Sequence, residues 1–288
     1  QRKAIHSWMR LGRDVEVLLV EREEGIDEAA AEVSVRWLPE VQRNPSGTPL
    51  VSSIFDLGRE QGRGELLAYV NADIILMPEF MGVCRQVMAQ KERFLIVGQR
   101  WDLDIQEPIN FSDGWDKHLR AEVHQRGRLH PRGGSDYFVF PRVCFTQVPE
   151  FAIGRAGWDN WMLFEARNHS WALVDATEVN PIIHQEHDYS HLPNGQSHYR
   201  LPETTENVRL AGGLRQVFTL SDTDYRVAGE VVMPQPMSWE KFWREVEIFP
   251  LVKLHSRWAG ALVYDVFHPK KAYGRVRGWL RTVLKDGS

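Results

Sequence analysis

The sequence predicts an α/β fold, in which a mixed, mostly parallel sheet is flanked by helices and followed by a C-terminal, mostly helical extension. Short apolar runs of strand length alternate with segments whose apolar residues recur every three or four positions. Turn-forming clusters, such as residues 44–49, separate these segments. This alternation is typical of doubly wound sheets, and 288 residues with 43% hydrophobic side chains suffice for their core. We expect the α/β domain over residues 1–200 and the extension over residues 201–288.

The first hundred residues predict four helices and four strands. Ala4, Ile5 and Trp8 share one side of an opening helix, because they are three or four positions apart. The strands are runs rich in Val, Leu and Ile, and the later helices show the same amphipathic spacing as the first. In order, we expect strand 15–20, helix 26–32, strand 33–37, helix 50–59, a strand through 66–76, helix 78–91 and strand 94–98.

The next hundred residues are less regular. Residues 100–132 are polar and irregular, with a helix at 115–125, and a long charged loop of this kind often covers a site. Two glycines then precede an aromatic strand at 137–140. A helix that ends near residue 168 and a strand at 171–176 follow, and from about Leu201 the pattern is mainly helical.

Composition limits the classes of function. A formal charge of -4 and a pI near 6.3 provide no general basic surface, so nucleic acid is not an expected partner. Cys84 and Cys144 lie in apolar segments, which argues against a disulfide framework and fits a reducing compartment. No apolar run approaches the roughly 20 residues of a membrane span, and no signal-peptide pattern opens the chain. A cytoplasmic protein is expected, either free or peripheral to the inner face of the membrane.

The most informative segment is the apolar strand that ends in Asn71-Ala72-Asp73 before the apolar run resumes. In open α/β sheets, ligands bind beyond the carboxyl ends of such strands. Oxygen atoms of Asn71 and Asp73 suit a hard divalent cation that carries phosphates. The other interpretation is a turn in which both side chains bond to nearby backbone.

Four motifs occur in an order that resembles the GT-A glycosyltransferases, the nucleotide-diphospho-sugar transferase superfamily. They are YVNADII at 69–75, GSDYFVF at 134–140, GWDNW at 157–161 and HQEHDY at 184–189. The opening helix resembles the one that follows the first strand of that fold, so the resemblance covers about residues 1–200 and implies an earlier strand that this sequence lacks. It implies a glycosyltransferase that moves a sugar from a UDP- or GDP-sugar to a carbohydrate, glycoconjugate or lipid-linked hydroxyl.

The resemblance implies a metal site at Asp73. Members of the family use an Asp-x-Asp step to hold Mn²⁺ or Mg²⁺ on the donor diphosphate, and Asn71-Ala72-Asp73 stands in that place. Asn71 is a departure because it is neutral. We therefore expect Asn71 either to support weaker metal binding or to contact the ribose of the donor.

Residues before the aromatic strand are predicted to bind the donor. Exposed backbone amides, a hydroxyl and a carboxylate are suited to sugar hydroxyls, and they come from Gly134, Ser135 and Asp136. Arg132, with Arg128 and His130 upstream, is predicted to approach the phosphates. The alternative is a hairpin turn capped by Asp136 and preceded by a solvated charged loop.

Asp159 is the predicted catalytic base. By resemblance it faces the acceptor and takes the proton from the attacking hydroxyl, if the reaction inverts the anomeric centre. The residues do not fix whether the enzyme inverts or retains. The alternative for Asp159 is an N-cap of the following helix. Trp158 is predicted to stack on the acceptor sugar, although a core position is more usual for an aromatic residue at helical spacing.

His184 and His187 are the predicted histidine ligands of the metal. A histidine reaches the metal from the far side in many members of the fold, and a neutral imidazole binds Mn²⁺. One of the two suffices, and the sequence leaves both open. Two other functions remain: a metal-dependent hydrolase built on the cluster from His184 to His191, which lacks the His-Glu-x-x-His spacing, and a non-catalytic carbohydrate-binding protein on the same fold.

The C-terminal segment predicts a basic amphipathic helix. Its apolar residues at helical spacing are Tyr273, Val276, Trp279, Leu280, Val283 and Leu284. Lysine and arginine occupy most of the remaining positions from 270 to 285. Such a helix either contacts an anionic membrane or docks on the domain with its basic side in solvent.

Overall fold

A computed structural model describes residues 1–185, 201–270 and 273–274. In this part of the chain the fold is mixed α/β, and the strands form a six-stranded, a four-stranded and a two-stranded sheet, none of them a closed barrel. The basic segment from residue 275, together with His187 and the rest of the histidine-rich cluster at 186–191, lies outside the described residues.

Residues 1–97, all of them described, contain the four helices that the sequence predicts, but five strands instead of four, because the strand expected through 66–76 is divided. They are α1 (Arg2–Trp8), β1 (Leu18–Val20), α2 (Ile26–Val33), β2 (Arg36–Leu38), α3 (Val51–Gln61), β3 (Leu66–Val70), β4 (Ile74–Leu76), α4 (Phe80–Gln90) and β5 (Phe94–Val97). The first two strands are shorter than expected and form a parallel pair of their own. The polar step at 71–73 separates β3 from β4, which belong to different sheets.

The second half contains more strands than expected. Its elements are β6 (Arg100–Leu103), α5 (Trp115–Arg126), β7 (Arg128–Leu129), β8 (Tyr137–Pro141), α6 (Trp158–Asn168), β9 (Ala172–Asp175), β10 (Ile182–Gln185), α7 (Pro202–Leu210), β11 (Tyr225–Ala228), β12 (Val231–Pro234), α8 (Trp239–Val252) and α9 (Arg257–Phe267). The helix expected at 115–125 is confirmed. Residues 100–132 are not simply a loop, because β6 and β7 pair within them.

The six-stranded sheet has the order β12-β11-β9-β5-β8-β3. Strands β11, β9 and β5 are parallel, whereas β8 is antiparallel to both of its neighbours and β12 is antiparallel to β11. The expectation of a mostly parallel sheet is therefore wrong. All five residues of β8 are buried because both faces of the sheet are covered, and a continuous apolar run carries no information on strand direction.

Two apolar clusters cover the two faces of this sheet. Side chains alternate across a strand, so Leu95 and Val97 of β5 join the cluster that contains residues of α3, α6 and α8. Phe94 and Ile96 join the other, with residues of α1 and α4. Cys84 and Cys144 are buried free thiols.

The four-stranded sheet has the order β4-β10-β6-β7. Strand β10 is antiparallel to β4 and parallel to β6, and it pairs His184 with Ile74 on one side and with Asp102 on the other. Residues 74, 102 and 184, which lie far apart in the sequence, thereby become neighbours in this sheet.

The segment after residue 201 is not purely helical. It contains α7, α8 and α9, but β11 and β12 also extend the six-stranded sheet beyond β9. None of the described helices combines the length and the apolarity that crossing a bilayer requires.

Candidate functional site

A hydrogen-bonded network lies where β3 ends and β8 begins. The two strands are antiparallel neighbours with Val70 opposite Tyr137, so Asn71 and Asp136 face each other. The Nδ2 of Asn71 donates to Oδ1 of Asp136 at 2.9 Å, and the hydroxyl of Tyr69 donates to Oδ1 of Asn71 at 2.8 Å. An aspartate at position 71 would repel Asp136, so the neutral amide is the group that this contact requires.

Arg100 joins this network to a second one. Its Nη1 donates to Oδ1 of Asp136 at 2.7 Å, and its Nε donates to Oδ1 of Asp102 at 2.8 Å. Both carboxylates are thereby held by one guanidinium, whose planar fork suits two acceptors at fixed positions. Asp102 and Arg100 escaped the sequence analysis. The available signal was a pair of charged residues at alternate positions of a short segment that also contains Trp101 and Leu103.

A chain of acidic and histidine side chains crosses the four-stranded sheet. Asp73 immediately precedes β4, His184 is in β10, Asp102 is in β6, and His130 immediately follows β7. The chain follows the strand order: Oδ2 of Asp73 is 3.2 Å from Nε2 of His184, whose Nδ1 is 3.1 Å from Oδ1 of Asp102. Oδ2 of Asp102 is 2.9 Å from Nδ1 of His130. His184 and Asp102 are both buried.

The pKa of Asp102 is held below its ordinary value. Burial acts to raise it, but the hydrogen bond from His130 and the charge of Arg100 prevail. Asp102 is therefore a stable anion beside His184. Because neutral imidazole has one N–H, it can donate to Asp102 or to Asp73 but not to both.

The pair Asp73 and His184 fits two ligands of a divalent cation. Adjacent ligands of an octahedral ion with bond lengths of about 2.1 Å are roughly 3 Å apart, and the two atoms are 3.2 Å apart. With Nε2 on a metal, Nδ1–H remains for Asp102, which is the outer-shell contact that orients metal-binding histidines. No group of three or more His, Cys, Asp or Glu residues suited to a metal occurs in the described ranges. The remaining ligands would then be phosphate and water oxygens.

Asp159 occupies the second position of α6. The N-cap is Gly157, with φ at +110°, so the alternative of an N-cap at Asp159 is wrong. The Oδ1 of Asp159 accepts a hydrogen bond from the Gly157 amide at 3.2 Å. Burial raises the pKa of Asp159 to about 6, and the negative charge of Asp136 adds to this, whereas the amides of Asn160 and Gly157 oppose it. A carboxylate with this pKa suits a general base near neutral pH.

The structure brings Gly134 onto Asp159. A Cβ atom at position 134 would lie 2.7 Å from Oδ2 of Asp159, so only glycine permits this approach. The side-chain amide of Asn160 donates to the carbonyl of Gly133 at 3.0 Å and fastens the loop to the helix start.

Tyr69 lies among three carboxylates. Its pKa is raised, first by burial and then by the negative charges of Asp73, Asp136 and Asp159. The tyrosine hydroxyl is therefore close enough to all three carboxylates for their charges to act on it. The sequence analysis predicted each of these three acidic residues separately.

Three other predicted site residues are buried or engaged in contacts within the protein. Ser135 is buried, with its hydroxyl 3.0 Å from the carbonyl of Tyr137 and 3.2 Å from that of Gly98. Arg132 forms an ion pair with Asp175 at the end of β9. Trp158 is 6% exposed and packs against Tyr69 and Phe138, with ring centroids 5.0 and 5.1 Å away. Its ring is thus part of the core beneath the network.

Two clefts elsewhere in the described part of the chain, one beside Trp161 and His255 and one along residues 104–126, contain none of the predicted site residues. No protein-family model and no curated protein matches this chain.

Asp159→Asn is expected to stabilise the protein at pH 7 by about 1–3 kcal/mol and to have little effect at pH 4. The raised pKa, about 6, means that the folded state holds the proton more tightly than the unfolded chain. The cost of the charged form is therefore absent when both states are protonated, and it grows as pH rises from about 4 to about 6. Urea unfolding of the parent and of Asp159→Asn at pH 4 and pH 7 measures this difference in the free energy of unfolding.

Asp116→Asn is the matched control. Asp116 is the second residue of α5 and follows another Gly-Trp pair, so it shares the helix position but not the carboxylate cluster. We expect no pH-dependent gain from Asp116→Asn. A loss of stability by Asp159→Asn at pH 7 would show that burial of the charged Asp159 carboxylate does not destabilise the folded state.

Proposed function

We propose that this protein is a glycosyltransferase of the GT-A type, which transfers a sugar from a nucleotide-diphosphate donor to a hydroxyl of a carbohydrate or glycoconjugate acceptor. The observation that carries the proposal is the convergence of the Asp73–His184 pair, the fixed carboxylate of Asp136 and the base-like carboxylate of Asp159 around Tyr69. This set contains a metal-binding group, a polar contact for a sugar and a proton acceptor. The order of the four sequence motifs supports the family.

Asp73 and His184 would hold Mn²⁺ or Mg²⁺. When bound, the cation neutralises the charge that develops on the leaving diphosphate. With the cation on Nε2, the Nδ1–H of His184 would donate to Asp102, which would hold the imidazole in one orientation. Arg100 and His130 in turn hold Asp102.

Asp136 is positioned to contact the donor sugar. Its Oδ1 accepts from both Asn71 and Arg100, so the carboxylate cannot rotate freely. A fixed acceptor discriminates between hydroxyl orientations better than a mobile one, because little ordering cost is incurred on binding. The absence of a side chain at Gly134 lets the carboxylate of Asp159 approach this loop, which also carries Asp136.

Asp159 would take the proton from the acceptor hydroxyl. At neutral pH a group of pKa about 6 is mostly ionised, and it is a stronger base than an ordinary aspartate. Within the described residues, no cation forms an ion pair with Asp159 and lowers this basicity. The proton moves to Oδ1 or Oδ2 as the acceptor oxygen attacks the anomeric carbon and the diphosphate leaves.

Asp73→Ala is expected to abolish metal-dependent donor binding. In the parent protein, a donor at one hundred times its dissociation constant stabilises the fold by about 2.7 kcal/mol. A thermal-shift screen of UDP- and GDP-sugars with and without Mn²⁺ measures this. The control Asp113→Ala removes an exposed carboxylate outside the network and should leave the shift unchanged. An unchanged shift in Asp73→Ala would exclude the metal site.

Asp159→Asn is expected to keep donor binding and to lower the rate of transfer by roughly 10²–10⁴. The parent rate should rise through about pH 6, because Asp159 is active only after it loses its proton. The variant should lack this limb of the pH profile. A variant that transfers sugar at the parent rate would remove Asp159 from the mechanism, and donor binding without transfer by the parent would favour a non-catalytic carbohydrate-binding protein.

A further inference from the structure

Helix α8 has its charged side against the protein and its apolar side toward solvent. Inward, Glu245 pairs with Arg167 at 2.7 Å and with Lys241 at 3.2 Å, and Arg244 pairs with Asp222 at 2.6 Å. Outward, exposed apolar residues recur at helical spacing: Trp239, Phe242, Trp243, Val246 and Phe249. A surface helix normally has the opposite arrangement, so the outer side of α8 is suited to an apolar medium.

Helix α9 continues this apolar surface. It packs against α8, and its Trp258 and Leu262 are exposed. A ring contact joins the two helices, since the ring centroids of Trp243 in α8 and Phe267 in α9 are 6.0 Å apart. Within α8, the centroids of Trp239 and Trp243 are 5.4 Å apart. We call Trp239, Phe242, Trp243, Phe249, Trp258 and Leu262 the aromatic face.

The net charge of the sequence changes sign between the two helices that form this face. Residues 253–288 contain eight Lys and Arg and two Asp, so they carry a formal charge of +6. Because the whole chain carries -4, residues 1–252 carry -10. The positive segment begins where α8 ends and includes all of α9.

We propose that the aromatic face lies in the interfacial layer of an anionic membrane. Tryptophan has an amphipathic ring that favours the level of the lipid headgroups, and three tryptophans contribute to this face. The adjoining positive segment is attracted by anionic lipids, whereas the negative remainder of the chain is repelled and turns away. Apolar burial and charge therefore orient the protein in the same way. The proposal is independent of the transferase activity.

The charge distribution argues against a second copy as the occupant. A two-fold interface places the same surface of both subunits together. Of the described residues in the positive segment, Lys253, Arg257 and Lys270 are basic and only Asp265 is acidic, so pairing through the aromatic face would bring two net positive α9 regions together. An anionic bilayer offers the apolar layer without this repulsion.

The test compares vesicle binding of the full chain and of the double variant Trp239→Ser/Trp258→Ser. These side chains are 72% and 76% exposed, so their replacement leaves the core intact. We expect the parent to float with vesicles of phosphatidylcholine and phosphatidylserine, more weakly at high salt and more weakly with phosphatidylcholine alone. The double variant should bind these vesicles at least about tenfold more weakly than the parent. Brominated lipids should quench the tryptophan fluorescence of the parent.

Val266→Ser and Val143→Ser form a matched pair of single variants. Both valines are similarly exposed, 68% and 64%. Val266 lies in α9 at helical spacing from Trp258 and Leu262 and so extends the aromatic face, whereas Val143 follows β8. Only Val266→Ser should weaken vesicle binding. Equal binding of the parent and the double variant would overturn the proposal. Failure of the parent to bind anionic vesicles would also overturn it. In that case the face is covered either by a second copy, in a dimer that the double variant dissociates, or by the C-terminal segment of the same chain.

Discussion

The site depends on the imidazole of His184, which lies between two carboxylates in a buried place. Charges in such surroundings are costly unless they are paired and hydrogen-bonded. The four-stranded sheet meets this condition through its register, because β10 pairs with β4 on one side and with β6 on the other. A slip of one residue in β10 would turn His184 to the opposite face and leave Asp102 without one of its partners.

Arg100 connects this chain to the network at the end of β3. One guanidinium binds Asp102, which contacts His184, and Asp136, which contacts Asn71. The two networks therefore share a charge, and a change at either carboxylate alters the other. Asp159 differs from these two carboxylates, because only backbone amide hydrogen bonds oppose the effect of its burial. Its pKa therefore rises to about 6. Such an arrangement lowers stability at neutral pH in return for basicity, as is common at functional sites.

Much of the fold follows from sequence periodicity, and part of the site follows from strand ends. Asn71 and Asp73 follow an apolar strand, and Asp136 precedes one, so their positions at strand ends could be predicted. Their meeting at one edge of the sheet could not, because it depends on the antiparallel pairing of β3 with β8. The role of Asp102 could not be predicted either. Its partners are Arg100, His130 and His184, and a buried ion pair between distant segments leaves no periodic trace in the sequence.

The direction of β8 was also beyond the sequence, whereas the helical spacing of Trp158 already favoured a core position over the contact with the acceptor that the resemblance implies. A run of five buried residues reads the same in a parallel or an antiparallel strand. Trp158 adjoins Asp159, but α6 turns its ring beneath Tyr69 and into the core. Adjacent helix residues point about 100° apart, so neighbours in sequence do not share a role.

The most direct test of the account is whether His184 binds the metal through nitrogen. Pulsed electron paramagnetic resonance of Mn²⁺ added with UDP or GDP detects a directly bound imidazole nitrogen. If Nε2 of His184 binds the metal, we expect this nitrogen coupling in the parent and in Asp113→Ala, and its loss in His184→Ala. Coupling that persists in His184→Ala, or that is absent from the parent, would contradict it.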